Sequence, residues 1–315
     1  MRALLDALEA FFHHLAAVSW SALAVAVLFH AAKLGARARA WRNVVQAAYP
    51  REHVRWRSCL AAYLSGVGVN AVVPARAGDL LRLFVAKRRI PGATYPTLGA
   101  TLLVESIFDV VLATTLFVWA VGLGVLPGVD VFPRLPSVDW FWLLRHPRLA
   151  SFVGGALAVL AAGGLLWASR RIAEFRLRVA QGVRILGTPR DYLLGVVAWQ
   201  LLEWLLRLAS LFFFLRAFGL DAGPTNALLV QIAQSLSTAL PFTPSGIGTE
   251  QALLLYIFRG DAPTSAVLSF SVGMKVVVIA VNVAIGFAAI VVTLRTLRWQ
   301  EAVARDEAAI ERSRA

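Results

Sequence analysis

Two clusters of proline, glycine and charge interrupt otherwise apolar stretches. One contains Asn70, Pro74, Arg76, Gly78, Asp79 and Arg82, the other Pro241, Pro244, Ser245, Gly246, Gly248 and Glu250. Arg76 and Arg82 offer permanent charge and planar donors that suit phosphate. Asp79 stands where a returning half-helix would begin, and Ser245 is placed to cap the half-helix leading to Glu250. Two such half-helices would aim their positive dipole ends at a shared point where an anion is favoured. Lipid cannot hydrogen-bond a broken backbone, so breaks of this kind survive at membrane depth only against protein or a polar cavity.

A second set of charges lies in the longest apolar stretches. Glu105 and Asp109 are four residues apart and share one helix face. Two like charges there require a basic partner, which Arg76, Arg82 or Lys275 would supply. Each intramembrane charge costs ~2.5–3.5 kcal/mol on the insertion scale, so these groups must meet one another or water. The pair reads in three ways. It is an ion-pair clamp, a switchable cluster lining a solute path, or a hydrolase dyad, and for the last no nucleophile or metal ligand accompanies it. Glu203 and Arg207, again four apart, read as a local salt bridge. Asn70, Gln231, Gln234 and Asn282 read as interhelical hydrogen-bonding groups.

The elements that must position these groups are membrane spans. Hydrophobic residues make up 59% of the 315, and the mean hydropathy is +0.69, against roughly 45–50% apolar content in soluble domains. Stretches 15–31, 97–125, 150–169, 192–215 and 264–294 each approach or exceed the ~18 apolar residues of a spanning helix. The net charge of +13 falls between spans and follows from orientation and anionic headgroups; no nucleic-acid motif accompanies it. The single Cys59 excludes an intrachain disulfide and a multi-cysteine metal site. No cofactor is implied, and Asp6 and Glu9 argue against a basic secretory leader.

Loops 32–57 and 170–190 are rich in arginine and read as cytoplasmic. Residues 126–148, with Trp140, Phe141 and Trp142, read as an outer loop with an interfacial belt. If 58–75 crossed the bilayer, Arg82, Lys87, Arg88 and Arg89 would lie on the wrong side. A chain that enters, turns at 74–78 and returns through 79–90 keeps both basic flanks inside. Residues 224–258 repeat the arrangement from the opposite face. The expected fold is an all-α integral membrane protein, a polytopic bundle with two re-entrant, Pro/Gly-broken helical hairpins of opposite orientation, about 58–90 and 224–258. Residues 1–300 form one membrane domain and 301–315 a charged cytoplasmic tail.

In order, these motifs resemble the lysylphosphatidylglycerol synthase transmembrane-region family, also called flippase-like. The resemblance rests on Asn70, Pro74, Arg76, Gly78, Asp79 and Arg82, then Glu105 and Asp109, then Pro241, Pro244, Gly246, Gly248 and Glu250. Trp41 and Arg42 add an aromatic–basic pair, and the likeness covers roughly 20–295. The chain departs from it where Asp79 replaces Glu, Ser106 replaces Arg, Ser245 replaces Gly, and Lys275 stands where Arg is frequent. The final span 264–294 returns to a basic tail with Arg295 and Arg298, which reads as an inside C-terminus, and the resemblance implies a protein of the bacterial cytoplasmic membrane that moves or helps move lipid-linked molecules between leaflets. Its partners would be a membrane phospholipid or isoprenoid-linked lipid, and a lipid-modifying enzyme. No synthetase segment is expected, so that activity is not carried over.

The substrate-binding set is accordingly Asn70, Arg76, Asp79, Arg82, Glu105, Asp109, Ser245, Gly246, Glu250 and Lys275. Two alternatives stand beside translocation. One is a membrane-embedded transferase using Glu105 or Asp109 as base, and the other a non-catalytic scaffold for a lipid-modifying enzyme.

Overall fold

The computed structural model describes residues 17–73, 77–122, 172–239 and 248–314. These are helical almost throughout, with no strand among the described residues. They form α1 (Trp20–Ala48), α2 (Trp56–Val72), α3 (Ala77–Arg89), α4 (Tyr95–Gly122), α5 (Ile172–Gly182), α6 (Pro189–Ala217), α7 (Pro224–Ala239), α8 (Thr249–Ile257) and α9 (Thr264–Arg314). Four of them are long and apolar enough to cross a bilayer: Trp20–Ala48, Tyr95–Leu116, Pro189–Ala217 and Thr264–Thr293. The expected span 150–169 and the outer loop 126–148 lie outside the described residues.

One expectation needs correction. Residues 32–48 are not loop but the second half of α1, which runs unbroken for 29 residues. The segment is alanine-rich and free of proline, so helix propensity carries it past its charges. Those charges find partners on the way: Arg39 lies over the Trp199 ring at 5.8 Å, and Arg37 enters the cluster described below.

Helices α1 and α6 pack antiparallel, tied at three levels. Ser19 N–H donates to Ala217 O at 2.9 Å, Ser210 Oγ–H to Ala26 O at 2.9 Å, and Asn43 Nδ2 to Gly195 O at 2.6 Å. The last bond follows from a π-helical turn over Leu193–Val197, where such a turn disturbs the regular ladder. Small residues such as Ala22 and Ala26 let Leu211, Phe214 and Leu215 pack closely.

Helices α2 and α3 form a tight antiparallel pair around Gly66 and Gly78. A Cβ on Gly66 would meet Gly78 O at 2.7 Å, so only glycine allows this approach. Asn70 Oδ1 accepts the Gly78 N–H at 2.7 Å, serving an otherwise unpaired first-turn amide of α3. Asp79 in that first turn and Lys87, Arg88 and Arg89 in the last match the helix dipole. Helix α2 also crosses α9 at Gly68 and Gly286, where a Cβ on Gly68 would lie 2.6 Å from Gly286 Cα.

The hydrogen bonds also define two ends of the bundle. Tyr49 Oη accepts the Thr94 N–H at 3.0 Å and Gln181 Nε2 donates to Ala48 O at 2.8 Å, gathering the end of α1, the start of α4 and the end of α5. At the opposite end, Leu220, Phe258 and Ala266 share a core with Val18 and Ala217. Between the ends, Leu103, Ile107 and Val110 form an exposed apolar stripe on α4, and Leu201 and Leu205 another on α6. Outward apolar faces over a polar interior fit a lipid environment.

Candidate functional site

Three spans bring a charge to their own midpoint: Arg37 on α1, Glu105 on α4 and Glu203 on α6. They meet in one cluster. Arg37 donates both terminal nitrogens to Asp109, one of them to Oδ1 at 2.8 Å. Its guanidinium also lies 3.8 Å from Glu105 Oε1 and 3.7 Å from Glu203 Oε2. Arg82 Nη2 donates to Glu105 Oε2 at 2.8 Å, and Arg207 Nη2 to Glu203 Oε1 at 2.5 Å. Glu105 and Glu203 are only 4% exposed, so each buried charge depends on the guanidinium against it.

Arg82 is the most confined of the three arginines. Its guanidinium carbon sits 3.8 Å from the Trp41 ring centroid and 4.9 Å from that of Tyr63, within cation–π range. Trp41 is fixed in turn by donating Nε1–H to Thr101 Oγ1 at 2.9 Å. Of the Trp41–Arg42 pair singled out in the sequence, Trp41 thus supplies one wall of an aromatic box, whereas Arg42 donates to Val54 O at 2.9 Å.

A cavity of about 620 Å³ opens beside this cluster. Arg37, Asp79, Arg82, Glu105, Asp109, Glu203 and Arg207 line it, with Asn70 beside Asp79 and with Trp204, Gln231 and Ser235 from α6 and α7. That volume lies in the range of small-ligand pockets. Each of the three guanidiniums holds a carboxylate for which an incoming anion can compete, and Arg82 Nε is buried without a hydrogen-bond partner among the described residues.

Of the ten candidate residues, five reach this cavity: Asn70, Asp79, Arg82, Glu105 and Asp109. Arg76, Ser245 and Gly246 lie outside the described residues. Of the three basic partners open to Glu105 and Asp109, Arg82 meets Glu105, and Lys275 lies elsewhere. Its Nζ donates to Glu250 Oε2 at 2.8 Å, and Gln234 Nε2 reaches Glu250 Oε1 at 3.2 Å. Lys275 and Glu250 thus form a second buried pair between α8 and α9, and neither lines the cavity. Glu203 and Arg207 do make the expected local bridge, but both also belong to the cavity wall.

Arg37, the hub of the cluster, was not among the candidates. Its signal lay in the spacing of His30, Lys33, Arg37 and Trp41, which shares one helix face. Ser106 Oγ–H donates to Leu102 O at 3.0 Å.

The fold and cluster together define a multi-pass helical membrane protein with a charged cavity at mid-span. The chain matches the family described as the lysylphosphatidylglycerol synthase TM region over residues 3–286, and it belongs to that family. A UPF0104 membrane protein of Methanocaldococcus jannaschii is 23% identical over 193 residues, spanning 61% of this chain and 79% of that relative. Glycosyltransferase AglD of Haloferax volcanii is 26% identical over 242 residues, spanning 65% of this chain and 38% of that protein. No solved structure matches the chain.

Proposed function

We propose that this protein translocates, or assists the translocation of, an anionic or lipid-linked substrate between leaflets. One observation carries the reading: the arginine–carboxylate cluster beside the 620 Å³ cavity, at the midpoint of three spans. A phosphate entering from the bilayer competes with Asp109 and Glu203 for Arg37 and Arg207. Arg82, boxed by two rings, stays fixed as the anchor. Each carboxylate displaced biases the bundle toward a second arrangement, since a ligand shifts states only through differential contact.

Two short helix pairs support a route to the cavity. The 13 residues of α3 and the 9 of α8 reach about 20 and 14 Å at ~1.5 Å per residue, short of a ~30 Å core. Helices α2 and α3 have their outer ends at the basic end of the bundle, and α7 and α8 have theirs at the other. This is consistent with opposed re-entrant hairpins, residues 1–300 forming one membrane domain. The basic end then faces the cytoplasm of a bacterial inner membrane, the C-terminal tail 301–315 is cytoplasmic, and a lipid-modifying enzyme is the protein partner.

The test is movement of a fluorescent anionic lipid across proteoliposomes by wild type, Arg37→Gln and Arg76→Ala. The expected result is a loss of roughly tenfold or more in Arg37→Gln, as a buried charge-assisted contact is removed. Wild-type rates in a folded Arg37→Gln protein would exclude the cluster from the mechanism.

The name of the Haloferax relative favours a second reading, a membrane-embedded transferase with Glu105 as base. Glu105 Oε1 is buried and makes no hydrogen bond among the described residues. Product formation in detergent, where no leaflets exist, would select this reading over translocation.

A further inference from the structure

Three arginines give the cavity its chemistry for anions, yet the charge of the whole lining opposes one. Among the described residues its cations are Arg37, Arg82 and Arg207. Its carboxylates are Asp79, Glu105, Asp109 and Glu203, so the lining carries one net negative charge before any ligand arrives. Lys33, one turn before Arg37 on α1, interacts with Glu203 and Arg207 without lining the cavity, and it brings the balance only to zero. The Lys275–Glu250 pair is neutral in itself. An anion entering such a poorly solvated site stays uncompensated unless a positive charge enters with it.

The four carboxylates differ in how firmly they are held. Glu105 is shared by Arg82 and Arg37, Glu203 by Arg207 and Arg37, and both are 4% exposed. Asp79 accepts from Asn70 Nδ2 at 3.3 Å and sits in the first turn of α3, where the helix dipole favours its charge. Asp109 is 46% exposed, and among the described residues it pairs with Arg37 alone. A phosphate that takes Arg37 leaves Asp109 beside Glu105, one turn away on the same face. Like charges at that spacing favour the protonated acid. The other groups that line the cavity with Asp109 do not offset this. Helix α6 brings Glu203 together with its Arg207, and α3 brings Asp79 and an Arg82 already engaged by Glu105. Tyr63 of α2 and Gln231 and Ser235 of α7 are uncharged, and α5 meets α4 at Thr97 and Ala100, well before Asp109.

Resting on the translocation reading above, we propose that the cavity is also a proton site, in which Asp109 takes up one proton as an anion displaces it from Arg37. The proton comes from water, which reaches the exposed carboxylate, and it leaves when the anion departs and Arg37 recaptures Asp109. Only the carboxyl O–H bond forms and breaks. The anion and its proton then travel as a neutral pair, which gives a proton gradient leverage over the movement.

The full chain in phosphatidylcholine nanodiscs, weakly buffered beside a pH-indicator dye, is titrated with short-chain phosphatidylglycerol as the probe, because its phosphodiester keeps a single charge near neutral pH. Wild type should take up about one proton per probe bound, and its affinity should fall by up to about tenfold for each pH unit gained, the sign that follows when the bound state holds the extra proton. Asp109→Asn, a fixed stand-in for the protonated acid, should bind without proton uptake and with an affinity that no longer follows pH. A merely structural Asp109 would instead leave the pH slope in place. Probe binding by wild type without proton uptake, or a folded Asp109→Asn that keeps the uptake, would overturn the proton site. Binding that follows sodium concentration at fixed pH would overturn it too, because a metal cation then supplies the charge. The wild-type uptake needs no variant and decides the matter even where Asp109→Asn fails to fold. Movement is read separately in proteoliposomes under an imposed pH gradient. Uptake without movement keeps the proton site and removes translocation, whereas movement indifferent to the gradient, with no uptake, does the reverse.

Discussion

At the scale of single residues, burial separates carboxylates that look equivalent in the sequence. Glu105 is 4% exposed and serves Arg82 and Arg37 together, whereas Asp109 is 46% exposed and among the described residues serves Arg37 alone. Removing one partner of a buried pair costs about 3–5 kcal/mol, while a partly solvated pair contributes about 1 kcal/mol or less. Glu105→Gln should therefore lower thermal stability in detergent far more than Asp109→Asn. Equal shifts in midpoint would mean that water reaches Glu105 freely. The two acids themselves were legible from their spacing, and so was Arg82 as a partner. Arg37 was not, because a dense run of arginines in 32–57 reads as a cytoplasmic loop when charge is weighed without helix phase. Which of Arg76, Arg82 and Lys275 meets the pair was not legible, because sequence separation carries no information about which of two acidic clusters a long helix passes.

At the scale of elements, both short helices after the breaks were legible, α3 at 77–89 and α8 at 249–257. Gly248 shows why the second starts where it does. It adopts φ +90° and gives its N–H to Gln251 Oε1 at 2.7 Å, a turn any other residue would strain. The crossing of α2 with α9 was not legible, since Gly68 and Gly286 lie in stretches that look like uninterrupted apolar spans. Backbones touch there, in the manner of small-residue interfaces in membranes. Gly286→Leu should cost about 1–3 kcal/mol through overpacking and separate the helices, read as a lower unfolding midpoint. Gly99→Leu, on α4 with nothing within 4 Å of its Cβ position, is the control and should leave that midpoint nearly unchanged. The hairpin reading makes a separate demand on α2 and α3. In a Cys59→Ala background, cysteines at Arg57 and Arg88 should both be labelled by an impermeant maleimide from one side of the membrane. Labelling from opposite sides would mean that the pair crosses the bilayer between them.

At the scale of the whole molecule, the charge of +13 is distributed unevenly. The segments 51–57, 87–89 and 176–191 cluster at the end where α1 finishes and α4 begins, and among them only Glu52 and Asp191 are acidic. The opposite end, near 216–221 and 259–261, sets Arg216 and Arg259 against Asp221 and Asp261. An anionic leaflet attracts each surface arginine or lysine by about 1 kcal/mol, and the attraction fades within a Debye length. The bundle should therefore unfold at higher temperature in nanodiscs containing phosphatidylglycerol than in purely zwitterionic ones. Most of that gain should vanish at 1 M salt, where the Debye length is only about 3 Å. Phosphatidic acid should stabilise as well as phosphatidylglycerol in this respect, because the basic end recognises charge alone. Binding to the cavity is shielded by protein and persists in salt, so the salt-sensitive and salt-resistant parts of the lipid response report on the two regions separately. A stabilisation that survived 1 M salt in a folded Arg37→Gln variant, whose cavity cluster has lost its hub, would mean that lipid recognition at the basic end involves more than surface charge.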